Sequence, residues 1–338
     1  MTHMAKNEEI QLAKRPEGTP TEENFRFVET EIPELEEGQV LIKSIYISVD
    51  PYMRGRMNDT KSYVPPYELD APIAGGVVGQ VTESKSDQLQ KGDYVLGNLP
   101  WARYNAANPE ILQKVDPELG PISTALGVMG MPGLTAYFGL TDIGEPKAGE
   151  TVVVSGAAGA VGSTVVQIAK ILGARVVGIA GSPKKLEYVK NTLGADEVIN
   201  YKEDNVAEAL EKACPDGVDV YFDNVGGPVS DAVYPLLNAH ARIPLCGSIS
   251  SYNKKEDQGP RVHGYLVKSK AKMQGFIVGD YSDRYAEGKK QLSEWFSQDK
   301  LTFEENVVDG FENVPDAFLG LFKGDNLGKQ LVKVAETE

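Results

Sequence analysis

Val152-Val153-Val154-Ser155-Gly156-Ala157-Ala158-Gly159-Ala160-Val161-Gly162-Ser163, preceded by Thr151 and followed by an amphipathic stretch from Thr164 to Leu172, is the segment on which this chain's fold turns. Three β-branched residues in a row suit a strand buried in a parallel sheet, and Val165, Ile168, Ala169 and Leu172 fall on one face of a helix. Between the two the chain must turn sharply. Glycine and alanine in the turn let a phosphate approach the amides at the helix start, because a larger side chain would stand in the way. Gly162 lets the helix pack closely on its strand. Strand, small-residue turn and helix in this order make a dinucleotide site, with Ala158, Gly159, Ala160, Val161 and Gly162 against the pyrophosphate. Ala157 stands where the usual pattern has a glycine, and the alternative reading is the plain strand-to-helix turn of any α/β protein.

The next strand-like run narrows the cofactor. It spans Ala174 to Ala180 and ends at Gly181-Ser182-Pro183-Lys184-Lys185, near where an NAD site carries an acidic residue for the ribose hydroxyl. No Asp or Glu stands there. A carboxylate would repel the additional phosphate of NADP, whereas Ser182 can donate a hydrogen bond and Lys184 or Lys185 supplies positive charge. Ser182-Pro183 also reads as a helix N-cap with proline at the first helical position, which is compatible because a capped helix start still presents amides to a phosphate.

At 338 residues the chain exceeds the size at which one core usually stops growing, so two domains are expected. Its hydrophobic fraction of 41% and charged fraction of 25% place it among ordinary soluble globular proteins. A net charge of -15 argues against nucleic acid or an anionic membrane as partner. No apolar run approaches a membrane span, and Met1 to Asn7 has no apolar signal core, so a cytoplasmic protein is expected. Cys214 and Cys246 are too few for a disulfide framework and read as small buried hydrophobes.

Residues 1 to 125 read as short strands punctuated by glycine and proline, such as Gln39 to Val49 and Ala74 to Val81. From 126 the pattern alternates strand and helix. Strand readings at Glu197 to Tyr201, Val218 to Phe222, Ala241 to Leu245 and Lys272 to Val278 join the first two as six units of a doubly wound parallel sheet. After a helical stretch from Tyr285 to Gln298 come strands at Phe303 to Val308 and Lys329 to Val334. The expected architecture is therefore α/β, with a nucleotide-binding domain at 126–304, a β-rich domain at 1–125 completed by 305–338, and a ligand cleft between them. Asn224, Val225 and Gly226 would lie at the carboxyl end of the fourth strand, where such sheets bind ligands, in reach of the nicotinamide half.

The whole chain resembles the medium-chain dehydrogenase/reductase superfamily, in its zinc-free branch of prostaglandin reductase and alkenal double-bond reductase type. The resemblance rests on Val49-Asp50-Pro51-Tyr52-Met53-Arg54-Gly55-Arg56-Met57, Gly130-Met131-Pro132-Gly133-Leu134-Thr135-Ala136-Tyr137 and the glycine turn. It extends to Phe222-Asp223-Asn224-Val225-Gly226-Gly227, Cys246 to Asn253, Gln274 to Val278 and Gly324-Asp325-Asn326-Leu327-Gly328-Lys329. It implies a GroES-like β domain around a Rossmann domain, a homodimer, and use of NADPH to reduce the carbon-carbon double bond of α,β-unsaturated aldehydes and ketones. It also assigns Lys185 and Tyr201, beside Gly181, to the adenosine phosphate and Asn326 to the pyrophosphate or nicotinamide side. Met131, Thr135, Cys246, Gly247, Phe276, Ile277 and Gly328 join the cofactor contacts through the motifs that hold them. Zinc-dependent relatives carry Cys and His ligands and a Gly-His-Glu segment where this chain has Ser48-Val49-Asp50-Pro51 and Ala74-Gly75-Gly76-Val77. With two Cys and three His in all, no zinc constellation can be assembled.

Hydride transfer to an enone asks the protein for placement and for a donor to the developing enolate oxygen. Phenols stay protonated at neutral pH and suit that task, and among the 15 tyrosines the resemblance points to Tyr252 first and to Tyr52, which sit in family motifs associated with substrate contact, as the candidate catalytic residues. The cofactor's ribose hydroxyl is an alternative donor, and water or a tyrosine can protonate the α-carbon. A quinone reductase would use the same cofactor and fold. A nucleotide-binding redox sensor without catalysis is the reading from a different class.

Overall fold

The computed structural model describes residues 6–337; of the N-terminal stretch expected to lack a signal core, positions 1–5, His3 among them, lie outside the described residues. The chain divides into two compact units. One comprises residues up to Leu126 with 305–326 and the chain from 330 on; the other comprises 127–304 with 327–329.

In the first unit, β1 (Lys6–Leu12) and β2 (Phe25–Glu31) form an antiparallel pair. After them come β3 (Val40–Ser48), the single-turn helix α1 (Met53–Arg56), β4 (Ala74–Ser84), β5 (Tyr94–Pro100), β6 (Tyr104–Ala107) and β7 (Leu112–Val115). Helix α2 (Met131–Phe138) opens the second unit. It continues with β8 (Thr151–Ser155), α3 (Ala160–Ile171), β9 (Arg175–Ala180), α4 (Pro183–Glu187), β10 (Glu197–Asn200), α5 (Val206–Ala213) and β11 (Val218–Phe222). Then come α6 (Gly227–Val233), β12 (Leu237–Leu245), α7 (His263–Ser269), β13 (Lys272–Gly275) and α8 (Tyr285–Ser297). The chain returns with β14 (Glu305–Asp309), α9 (Val314–Leu321) and β15 (Lys329–Lys333).

The second unit is a doubly wound sheet of strand order β10-β9-β8-β11-β12-β13, parallel throughout. Strand β8 is buried at every residue, as a central strand covered on both faces must be. Val152 and Val154 enter one apolar cluster with Val220 and Phe222, and Val153 enters the opposite one with Tyr221, Ile179 and Ile243. This alternation is what a run of valines achieves between two helical layers. The order reverses between β8 and β11, the position at which open α/β sheets take ligands.

In the first unit a seven-stranded sheet runs β14-β15-β3-β4-β5-β7, with β6 also on β3. Its core centres on Trp101, wholly buried against Phe25 and Phe318 at ring-centroid distances of 6.4 and 6.2 Å. The molecule is thus α/β with a Rossmann-type sheet and a separate β-rich sheet.

Several boundaries differ from the sequence expectation, among them β4, which runs on to Ser84, and β14, which spans Glu305–Asp309; three further ones lie in the parallel-sheet unit. Helix α3 starts at Ala160 instead of Thr164, because Gly159 already takes the extended N-cap conformation. Strand β12 starts at Leu237 and passes through His240 at φ +64°, a local kink that shifts its register against β11. Strand β13 stops at Gly275, which pairs with Leu245, the last residue of β12; beyond it no partner strand continues.

Candidate functional site

The turn after β8 is built from backbone. Gly156 adopts φ +61°, and its carbonyl accepts from Gly159 N at 3.0 Å, closing the turn. Ala157 N donates to Ile179 O on β9 at 3.0 Å, and the Ala157 methyl is fully buried over Gly178. The alanine in a glycine position therefore faces the sheet, away from the open side of the turn, and Gly178 supplies its room. A methyl group built on Gly162 would sit 2.1 Å from Gly156 O, so this glycine serves the approach of α3 to the turn itself more than to the strand. Helix α3 runs 12 residues with no side chain capping its N-terminus. Its first-turn amides, at Ala160, Val161 and Gly162, carry the partial positive charge of an anion site. Ala158 O accepts from Gly328 N at 2.8 Å, which places Gly328, at φ +69°, against this turn.

The end of β9 forms a second locus. Ser182 caps α4, its Oγ accepting from Lys185 N at 3.4 Å, with Pro183 at the first helical position. Tyr201 N donates to Ala180 O at 3.1 Å, and the Tyr201 ring lies so close to Gly181 that a methyl group there would meet it at 2.6 Å. Tyr201 thus joins Gly181, Ser182 and Lys185, which are near neighbours in sequence, at one end of the sheet. Tyr201 is exposed on its other side, and Lys202 Nζ stands 6.0 Å from its ring centroid.

A third locus lies at the carboxyl ends of β8 and β11. Asn224 Nδ2 donates to Ser155 O at 2.8 Å and Asn224 N to Ser155 Oγ at 2.9 Å, so the turn after β11 is laced to the last residue of β8. Gly226 and Gly227, at φ +69° and +57°, let the chain double back into α6. Cys246 N and Gly247 N donate to Asp223 O, and Ser250 N donates to Val225 O at 3.1 Å, bringing the segment that carries Tyr252 alongside. The Tyr252 hydroxyl accepts from Ser248 N at 3.2 Å. Burial pushes the Cys246 thiol up to about 12 and the Cys214 thiol to about 11, so neither is a nucleophile at neutral pH.

Other candidates occupy separate positions. Met131 opens α2 and is exposed, whereas Thr135 is buried and donates its hydroxyl to Met131 O at 2.7 Å. The Phe276 ring turns into the core against Phe222, edge to face at 6.2 Å, and Ile277 stays partly exposed. Asn326 belongs to the first unit. So does Tyr52, at the N-cap position just before α1; burial, then the neighbouring Asp50 charge, raises its phenol well above the ordinary range and keeps it protonated. Around it Ser48 Oγ donates to Asp50 Oδ2 at 2.5 Å, and Arg54 donates to Gly18 O at 2.9 Å and Asn58 Oδ1 at 2.7 Å. The guanidinium of Arg56 covers the Tyr67 ring at 4.1 Å, and the Tyr67 hydroxyl donates to Ala74 O.

Sequence reasoning missed Asp223 and Ser155. A charged residue immediately after the apolar run of β11 was the available signal. Among the described residues no cluster of three or more His, Cys, Asp or Glu side chains is arranged to hold a metal ion, and no helix is long and apolar enough to cross a membrane.

Residues 8–115 match the N-terminal domain of oxidoreductases, and residues 160–295 match a family described as zinc-binding dehydrogenase. The chain is 62% identical over 336 residues to YfmJ of Bacillus subtilis (strain 168), covering 98% of this chain and 99% of that protein. It is 47% identical over 330 residues to the NADPH-dependent curcumin reductase of Escherichia coli (strain K12), covering 96% of each. Among solved structures, the NADPH complex of CurA from Vibrio vulnificus superimposes with a TM-score of 0.93 at 47% identity, covering 97% of this chain and 99% of that one.

Proposed function

The chain belongs to the medium-chain dehydrogenase/reductase family, in its NADP-dependent alkenal reductase branch, and from that premise we propose that it reduces the carbon-carbon double bond of α,β-unsaturated aldehydes and ketones with NADPH. The observation that carries this is the alignment of three backbone-built loci along the carboxyl ends of β9, β8 and β11 in one sheet. They suit an elongated dinucleotide.

The residues fit that group. The uncapped start of α3 and the closely approached Gly156–Gly162 turn would hold the pyrophosphate. Ser182, Lys185 and Tyr201 would hold the ribose phosphate, with no acidic side chain at Gly181 to Lys185 to repel it. Asn224, Val225 and Gly226 would position the nicotinamide half, with Cys246 and Gly247 beside them. When bound, NADPH supplies a hydride to the β-carbon.

The remaining tasks fall to side chains. Tyr252 donates to the carbonyl oxygen as negative charge develops there; the Ser248 amide donated into its phenol oxygen stabilises the charge the phenol acquires as it shares its proton. Tyr52, in the β-rich unit, is held protonated by burial and would be a second phenol donor. Serine, valine and glycine where zinc-dependent relatives hold ligands support a zinc-independent reaction. A homodimer would join two copies through an edge strand of the parallel sheet, β13 or β10, and two unpaired cysteines fit a reducing cytoplasm.

NADPH consumption measured with an alkenal, a cyclic enone and a quinone tests the reading. Turnover of alkenal and enone is expected. Turnover of quinone alone refutes it in favour of a quinone reductase, and tight NADPH binding without turnover of any acceptor points to a sensor.

A further inference from the structure

Asp223 follows the last residue of β11 with 2% of its surface exposed. Its carboxylate receives five donors: Ser155 Oγ, Tyr221 Oη, Val225 N and Gly226 N on Oδ1, at 2.9–3.0 Å, and Ser230 Oγ on Oδ2 at 2.6 Å. All are neutral. Among the described residues no Lys, Arg or His forms an ion pair with it. Neutral donors stabilise a buried charge without cancelling it, so its field persists in low-dielectric surroundings. Serine or asparagine would cap the same turn at less desolvation cost, so tying the turn does not by itself account for a carboxylate. The turn in question is Asn224–Gly226.

We propose that Asp223 sets a fixed negative charge beside the nicotinamide half of the cofactor, favouring the oxidised, cationic ring over the reduced, neutral one and so strengthening the bound cofactor as a hydride donor. This rests on the reading of Asn224–Gly226 as the nicotinamide contact. Asp223 touches neither reactant; it acts through the turn and through its field. A neutral replacement removes the preference for the cation while leaving the adenosine end undisturbed.

The test measures dissociation constants of NADP+, NADPH and 2′-phospho-ADP-ribose, which lacks the nicotinamide, for the wild type and Asp223→Asn. The ratio of the NADP+ to the NADPH constant should rise about tenfold, equivalent to roughly 30 mV in the bound two-electron couple, with 2′-phospho-ADP-ribose unchanged. An unchanged ratio, or equal weakening of both dinucleotides, overturns the proposal. Asn224→Ala probes the placement separately: it should weaken both dinucleotides and spare 2′-phospho-ADP-ribose. No effect on any ligand overturns the placement, whereas a flat ratio in Asp223→Asn with a responsive Asn224→Ala overturns the charge alone. If Asp223→Asn does not fold, Tyr221→Phe decides: losing one donor leaves the charge less shielded, so NADP+ must gain on NADPH, and no shift or the opposite shift refutes it.

Discussion

Gly162→Ala is the sharpest perturbation the dinucleotide turn offers. The added methyl would lie 2.1 Å from Gly156 O, 2.8 Å from Gly156 C and 3.0 Å from Ala157 Cα. All three are backbone atoms, so no side chain can swing aside. Relief requires α3 to back away from the turn by about 1 Å, and forced overpacking of this kind costs roughly 1–3 kcal/mol. Alanine's better helix propensity returns about 1 kcal/mol at most. For a unit of this size each kcal/mol moves the melting temperature by about 2–4 °C, so the remaining cost of up to about 2 kcal/mol lowers it by at most about 8 °C in thermal denaturation. The larger effect is on binding. Amides shifted by that distance lose charge-assisted hydrogen bonds worth about 1.5–3 kcal/mol each, so NADPH affinity by fluorescence titration should fall at least about tenfold. Gly264→Ala, in helix α7 where a methyl group meets nothing within 4 Å, is the control: it gains the helix propensity without the clash, so NADPH affinity should be unchanged and the melting temperature should not fall. NADPH binding within about twofold of wild type in a folded Gly162→Ala protein would refute the argument that this glycine sets the pyrophosphate cradle.

Lys185→Ala should weaken NADPH far more than NADH in parallel titrations; equal weakening would remove Lys185 from the phosphate site. Tyr252→Phe should lower kcat for enones at least about tenfold while NADPH affinity holds, and an unchanged kcat would shift the donor role to the ribose hydroxyl. Arg242→Ala should destabilise the fold by about 2–4 kcal/mol in denaturant titration, since Arg242 donates to Gly144 O and Glu145 O and pairs with Glu150. Burial pushes the Glu150 carboxyl up, but the Arg242 hydrogen bond, the Lys147 amide and both positive charges outweigh it and hold it below the ordinary range. A carboxylate with a depressed folded-state value stabilises the fold above its ordinary value, and that stability is lost as pH falls through the depressed one. Arg242→Ala should therefore flatten the acid limb of the stability profile, and a parallel profile would count against the pair.

The parallel sheet was legible because its signals are local: a valine run, a small-residue turn and an amphipathic helix are neighbours along the chain. In the β-rich unit the sequence marked strands such as Gln39 to Val49 and Ala74 to Val81 and joined the C-terminal strands to them, but not β1, β2, β5, β6 or β7, nor the pairing of β3 with β4, β6 and β15 from far along the chain. The same distance concealed the carboxylate beneath the Asn224 turn. Ser155 lies 68 positions before Asp223, and only the adjacency of β8 and β11 brings them together. Ala157 was misleading for the opposite reason. Judged by spacing it weakened the glycine pattern, yet its methyl fills a space that Gly178 leaves in the sheet.

Residues 327–329 belong to the nucleotide unit, through Gly328 N on Ala158 O and Lys329 N on Glu304 O, while the rest of β15 runs beside Tyr46–Ser48 of β3. Neither unit is contiguous in sequence, and that orders events at the ribosome. The parallel sheet can assemble once residue 275 has emerged, but its cofactor turn gains the Gly328 bond only after the chain has grown through β14 and α9. Until residue 333 is added, β3 lacks the strand that flanks Tyr46–Ser48 on the side opposite β4. A nascent chain stalled in this interval carries a formed nucleotide sheet and an open β edge at once, the state in which strand-to-strand aggregation and chaperone capture compete.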